Sequence, residues 1–352
     1  MKKLMSNVWV NMLFIVSLTV AAMIFALYDS YETVWETIST LDPLKLLLIV
    51  GLGLLPYLTW GYIITVLART IDKKFQFKHG AINAFIGGFM SGITPSSTGG
   101  QFAQAYALRK RGLKTSQAAG LISIDFFIYQ IIIVVTAITM YIVFLSTANH
   151  AAISLVFGVG LIANSFVVVL LWIMVSFPKL YHKISFWGIT LLHKMKFIKN
   201  KEKILEEWNK TLIHFNEAIE EVTKNKVVFW KVTGLHFIKL MLYYSTPFMI
   251  GSILGINLSF GDFFPMLALG SFITVSNSFV PLPGSSGVTE GLFVLAFSTI
   301  IGKGAASSTM ILWRFANFYI PVIMGGYFFI RLKNINPFKS IKTSDLLNEN
   351  DE

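Results

Sequence analysis

Residues Ser278–Val294 read SFVPLPGSSGVTEGLFV, with two prolines, three glycines and one carboxylate set into an otherwise apolar chain. Pro281 and Pro283 remove backbone donors, while Gly284 and Gly287 allow turns that other residues resist. A continuous helix cannot run through such a segment. In a membrane, the N–H and C=O groups freed by a break are tolerated only where protein or water satisfies them. The stretch therefore predicts two half-length helices meeting at an internal polar site, with Glu290 placed in it.

The membrane setting follows from composition. The chain has 352 residues, 55% hydrophobic and 13% charged, where soluble domains carry roughly 25% charge. Apolar runs of about 20 residues recur along it, each long enough for a hydrocarbon core about 30 Å thick. The short alternating segments of a β-barrel are missing. Zero cysteines exclude disulfides, thiolate metal sites and a cysteine nucleophile. A net charge of +11 fits cytoplasmic loops facing anionic headgroups better than a nucleic-acid surface. The N-terminal MKKLMSNVWVNMLFIVSLTVAAMIFALYDS has signal-peptide features but reads as an uncleaved first span.

Basic residues assign the sides. Lys2 and Lys3 put the start inside, and span one covers roughly 8–27. The next loop carries Asp29, Glu32, Glu36 and Asp42 and no cation, so it faces out. Span two, roughly 44–68, returns to Arg69, Lys73, Lys74 and Lys78. Residues 80–93 then precede TPSSTGG, and a short helix ends at Arg109, Lys110, Arg111 and Lys114. Both ends want the inside, so this is a re-entrant hairpin. Spans 117–145 and 153–177 follow, then a lysine-rich inner loop at 178–226, then span 227–256. Arg331, Lys333 and Lys339 hold the end inside, so the last span, 305–330, runs inward and 260–302 forms a second hairpin entering from outside.

The expected fold is an all-α polytopic membrane protein with about six full spans and two oppositely oriented re-entrant hairpins, an inverted-repeat plan recurrent in transporters. TPSSTGGQ and LPGSSGVTE share a proline, small hydroxyl residues and a glycine four positions on. The interval from Gln101 to Asp125 equals that from Glu290 to Arg314, and an Ala-Ala pair falls within each, at Ala118–Ala119 and Ala305–Ala306. Residues 1–335 read as one membrane domain and 336–352 as a disordered cytoplasmic tail.

The polar content of the apolar body is small. Asp125 and Glu290 are the acidic residues well inside expected membrane segments, and Arg314 and Lys239 the cations. A charge at bilayer depth costs at least ~2.5 kcal/mol on insertion scales, so such groups pair or line a wet cavity. The functional reading is a polar path for a charged headgroup. The plain alternative is a structural ion pair, such as Glu290 with Arg314, and for Lys239 snorkelling toward the inner surface. The helix starts near Ser286 and near Thr98 or Gly99 point amides into the breaks, where anions bind. The proposed set is Ser96, Ser97, Thr98, Gln101, Ser285, Ser286 and Arg314, with Pro95, Gly99, Gly100, Pro281, Pro283, Gly284 and Gly287 shaping the turns. It suits phosphate, with Glu290 holding a cationic group or positioning Arg314.

Other patterns are bland. GxxxG at Gly88–Gly92, Gly251–Gly255 and Gly287–Gly291 reads as close packing. Six histidines show no metal-ligand spacing, so neither metal nor cofactor is expected. In the 178–226 loop, Ile204, Leu205, Trp208, Leu212, Phe215, Ile219 and Val222 recur at helical spacing and read as an amphipathic helix, on the inner membrane surface or against the protein.

TPSSTGGQFAQAY before a basic turn, and PLPGSSGVTEG followed at the matching interval by Arg314, resemble the flippase-like membrane domain of lysylphosphatidylglycerol synthases. The resemblance spans about 5–335, with Gly100 and Gln101 where many relatives have a glutamate. It implies a lipid translocase of the bacterial cell membrane with both termini cytoplasmic, and places Glu290 and Arg314 at positions important for translocation. The soluble aminoacyltransferase domain of bifunctional members is not expected here, which speaks against phosphatidylglycerol lysyltransferase activity. Expected partners are membrane phospholipids, with a second copy of the chain and a separate lipid-modifying synthase as further candidates; nucleic acid is not expected. The alternatives are a membrane-bound transferase, a carrier of glycolipid or polyprenyl-phosphate precursors, and an ion-coupled carrier of a small solute.

Overall fold

The computed structural model describes residues 31–142, 151–194 and 224–333 apart from 279, together with residues 202, 204–206 and 213. The expected first span, the tail and nearly all of the amphipathic segment at 204–222 lie outside the described residues. Within them the chain is helical without strands. The helices are α1 (Tyr31–Ser39), α2 (Pro43–Ile71), α3 (Phe77–Ile93), α4 (Gly99–Arg109), α5 (Thr115–Met140), α6 (Ala151–Ser176), α7 (Pro178–Lys194), α8 (Lys226–Ile253), α9 (Phe263–Asn277), α10 (Val288–Ile301), α11 (Lys303–Arg314) and α12 (Ile320–Lys333). A π-helical turn, Phe315–Tyr319, joins the last two.

The protein is an all-α polytopic membrane protein. Five of its described segments are long and apolar enough to cross a bilayer: Pro43–Ile71, Thr115–Met140, Ser154–Ile173, Pro283–Ile301 and Lys303–Leu332. The expected span at 227–256 is present as α8, 28 residues long. It stands outside those five because His236, Lys239 and a run of tyrosine and hydroxyl residues dilute its apolar character.

Local chemistry explains the starts. Asp42 caps α2 by accepting from the Leu44 N–H at 2.8 Å, with Pro43 in the first turn where its missing donor costs nothing. Asn225 caps α8 through the Val228 N–H at 3.2 Å. The loop at 178–226 is less irregular than the lysine pattern suggests, since α7 occupies its first part.

Both expected breaks exist, and they are alike. A three-residue 3-10 turn, Pro95–Ser97, divides α3 from α4, and another, Pro283–Ser285, divides α9 from α10. Each begins at a proline and ends on a serine with positive φ, 55° at Ser97 and 50° at Ser285. Non-glycine residues adopt that conformation rarely and at some cost. Its recurrence at matching positions supports the internal repeat read from the sequence.

Two apolar clusters are large, and smaller ones pack α3 against α4 and the last helices. Tyr244, Phe272, Phe293, Phe297 and Trp313 centre one, joining α8 to α11. Ile63, Leu67, Leu108, Ile122, Ile124 and Val232 centre the other, joining α2, α4, α5 and α8. Between α2 and α3 the backbones nearly touch: a Cβ on Gly61 would lie 2.5 Å from Ala81 Cα. Of the three GxxxG pairs, Gly88–Gly92 is a packing face set against Tyr57, Val322 and Phe318, and in the second pair Gly251 packs against Leu258. Gly255 and Gly287 have φ of 78° and 87° and make turns, so spacing alone does not separate a bend from a contact.

Candidate functional site

The two turns meet. Gly284 packs against the Gly92 carbonyl and the Phe318 ring, leaving no space for a side chain. Beside this junction opens a cavity of about 680 Å³. Its wall includes Ser97 of the first turn with Thr98 and Gln101 just after it, Gly284 and Ser285 of the second turn, and Arg314 from the end of α11. Trp60, Tyr129 and Lys239 line it from α2, α5 and α8.

Arg314 is held from several sides. Its Nε donates to Glu290 Oε1 at 2.7 Å, and one Nη donates to the Gly284 carbonyl at 3.0 Å and, more weakly, to Ser286 Oγ at 3.5 Å. The guanidinium lies 4.3 Å from the centre of the Phe318 ring, a cation–π distance. Arg314 ends α11 at the start of the π turn; such turns are frequent at functional sites. Glu290 is wholly buried. Its other oxygen accepts from the Gly287 N–H at 2.7 Å.

At the start of α10 the Gly287 N–H is already taken by the Glu290 carboxylate of the same turn, so that amide is not open to an anion. With both oxygens engaged, Glu290 positions Arg314 rather than holding a cationic ligand group. At the first break the Gly99 N–H is likewise taken, by Thr94 Oγ1 at 2.9 Å. Of the serines, Ser97 and Ser285 reach the cavity wall, Ser286 is buried behind Arg314, and Ser96 lies in the turn itself.

Asp125 is set differently. Its Oδ2 accepts from Trp60 Nε1–H at 3.0 Å, and its Oδ1 lies 3.1 Å from His236 Nε2, at ion-pair distance but off the hydrogen-bond line. Gln101, its counterpart by sequence interval, is not its partner and faces the cavity instead. One turn beyond His236, Lys239 places Nζ 3.7 Å from the Tyr129 ring centre and 5.0 Å from that of Trp60. Trp60 and His236 are absent from the sequence-derived set. An ionisable ring inside an apolar span was the available signal for His236; Trp60 had none, since an indole in a span ordinarily packs.

Thus Lys239 and Arg314 stand at the cavity wall, while their nearest carboxylates, Asp125 and Glu290, sit behind it. Among the described residues no cluster of metal-ligating side chains forms.

Residues 12–325 match the family model described as the lysylphosphatidylglycerol synthase TM region. The chain belongs to this family. The chain is 25% identical over 315 residues to a UPF0104 membrane protein of Archaeoglobus fulgidus, covering 88% of this chain and 93% of that one. It is also 25% identical over 325 residues to the uncharacterized MG306 homolog of Mycoplasma pneumoniae, covering 85% and 80%. Membership makes it a multi-pass membrane protein of a lipid-linked family, as the two motifs had suggested.

Proposed function

We propose that this protein is a lipid translocase. It moves the headgroup of an anionic or zwitterionic phospholipid, such as an aminoacyl-phosphatidylglycerol, between leaflets through the cavity where the two broken hairpins meet. The observation that carries this reading is the arrangement of charge: two cations at the wall, both carboxylates withdrawn. A phosphodiester entering there meets Arg314, Lys239 and the hydroxyls of Ser97, Thr98 and Ser285. A cavity of about 680 Å³ suits a headgroup, and the acyl tails remain in lipid. In a low-dielectric wall, preplaced cations attract an anion far more strongly than in water. The family's name supports a lipid substrate.

The test is leaflet translocation in proteoliposomes with a panel of headgroup-labelled lipids, comparing wild type with Arg314→Ala and Glu290→Gln. Movement of an anionic lipid that is lost in Arg314→Ala supports the reading. If no lipid moves while the variants fold like wild type, the reading fails. Aminoacyl transfer by the purified protein, given aminoacyl-tRNA and phosphatidylglycerol, would favour the transferase alternative. Lipid-independent uptake of a soluble solute into sealed vesicles would favour the solute carrier.

A further inference from the structure

The two buried carboxylates differ in what they can do with a proton. Glu290 has both oxygens engaged, one by a guanidinium that does not deprotonate in proteins. Asp125 faces an imidazole instead, the side chain whose charge changes most readily near neutral pH. His236 is fully buried, and neither ring nitrogen meets a hydrogen-bond partner among the described residues; Nε2 faces Asp125 at 3.1 Å, so the neutral ring with its proton there leaves the Nδ1 lone pair open. A free ring nitrogen beside a buried carboxylate is a place where a proton can be added.

The surroundings set the charge count. α5 contributes Asp125 and Tyr129, and α2 contributes Trp60. α8 itself contributes Lys239 one turn on, with Tyr243 and Tyr244 beyond. Lys231, also on α8, lies over the Tyr62 ring at 5.2 Å. Of the other helices packed on α8, α9 has no titratable side chain, and α11 has Lys303 and Arg314, the latter held by Glu290. With Asp125 ionised, Lys239 protonated and His236 neutral, the cluster carries no net charge. A phosphodiester drawn to Lys239 adds one negative charge to a wall already out of water, and unbalanced buried charge is costly. A proton added to the Nδ1 lone pair makes an imidazolium and restores neutrality.

We infer that Asp125, His236 and Lys239 form a proton-binding site linked to headgroup occupancy of the adjoining cavity, so that the lipid anion crosses together with a proton. Lys239 is the member that meets the cavity, His236 the member that takes the proton, and Asp125, fixed by Trp60, the group that stabilises the imidazolium. The step forms one N–H bond at Nδ1 and breaks it when the headgroup leaves; nothing is oxidised or reduced. This inference rests on the translocase reading.

Two measurements on the full chain test it. Short-chain phosphatidylglycerol is titrated into the purified protein in weakly buffered detergent containing a pH indicator, with binding followed by tryptophan fluorescence. Linkage between binding and protonation predicts uptake of about one proton per bound lipid, and nearly none in His236→Gln or Asp125→Asn. In proteoliposomes, an imposed pH gradient should bias movement of labelled phosphatidylglycerol in wild type and lose that bias in His236→Gln. Binding without proton exchange in wild type overturns the inference whatever the variants do, and so does wild-type uptake by a folded His236→Gln. Lipid movement that ignores the gradient overturns it too, while leaving the translocase intact. If no lipid binds or moves at symmetric pH, the translocase reading falls first and this inference with it.

Discussion

Replacing Arg314 with Gln removes the cation from a pair in which the carboxylate is wholly buried and the guanidinium nearly so. Glu290 would keep one donor, the Gly287 N–H at 2.7 Å. Removing one member of a buried ion pair costs about 3–5 kcal/mol, because the other is left charged and out of water. Arg314→Gln should therefore lower stability by about that amount, and Glu290→Gln by an amount near the low end of the range. The double variant leaves two neutral amides and no stranded charge, so its loss should fall short of the sum, by about 0.5–3 kcal/mol of coupling. Unfolding in mixed micelles, followed by tryptophan fluorescence, reads this directly, since Trp313 packs against Phe293 with ring centres 5.0 Å apart. Additive losses would refute the reasoning, for the pair would then contribute no mutual term. The same variants separate pinning from transport. If the pair only pins helices, lipid movement should follow stability across the three variants; if Arg314 also meets the headgroup, movement is lost in both variants that lack it, even under conditions where they remain folded.

Trp60→Phe keeps the ring but strands Asp125 Oδ2, which should cost about 1–3 kcal/mol; equal stability of the variant would show that the carboxylate has another donor. Gly61→Ala drives a methyl into the α3 backbone at Ala81 and should destabilise by about 1–3 kcal/mol, as overpacking does; a neutral melting shift would show that α2 and α3 separate readily. At the α8–α9 turn, the Ser259 backbone N–H and hydroxyl both donate to Asp262, holding its carboxyl below the ordinary carboxylate value. A folded value below the unfolded one means that this contribution is present above the unfolded value and fades as pH falls through the folded one. Ser259→Ala should move the Asp262 titration upward, as followed by NMR of a labelled aspartate, and an unmoved titration would place the cause elsewhere.

Much of the architecture was legible because it is written in contiguous residues. Hydropathy marks α2, α5, α6 and the final α11–α12 run, and proline with glycine marks both breaks. The Glu290–Arg314 pair could also be read, since two opposite charges in neighbouring apolar helices have few other partners. The fate of Glu290 could not. Capping of the Gly287 N–H depends on the turn closing with φ of 87° at Gly287, and sequence spacing predicts an open helix start equally well. The equal intervals from Gln101 to Asp125 and from Glu290 to Arg314 accompany similar turns but not similar pairs. Asp125 bonds to α2 and faces α8, whose arrival beside it no local pattern encodes.

The sequence by itself determined a helical membrane protein with two broken helical segments, because burial in lipid forces every backbone group to be satisfied within its own segment or at a marked break. Only the tertiary structure decided that both breaks meet at one cavity, that its wall shows cations while the carboxylates sit behind, and that Trp60 and His236 complete the Asp125 site. Those choices depend on which helix faces pack together, and packing joins residues far apart in the chain through shape and charge that no single segment contains.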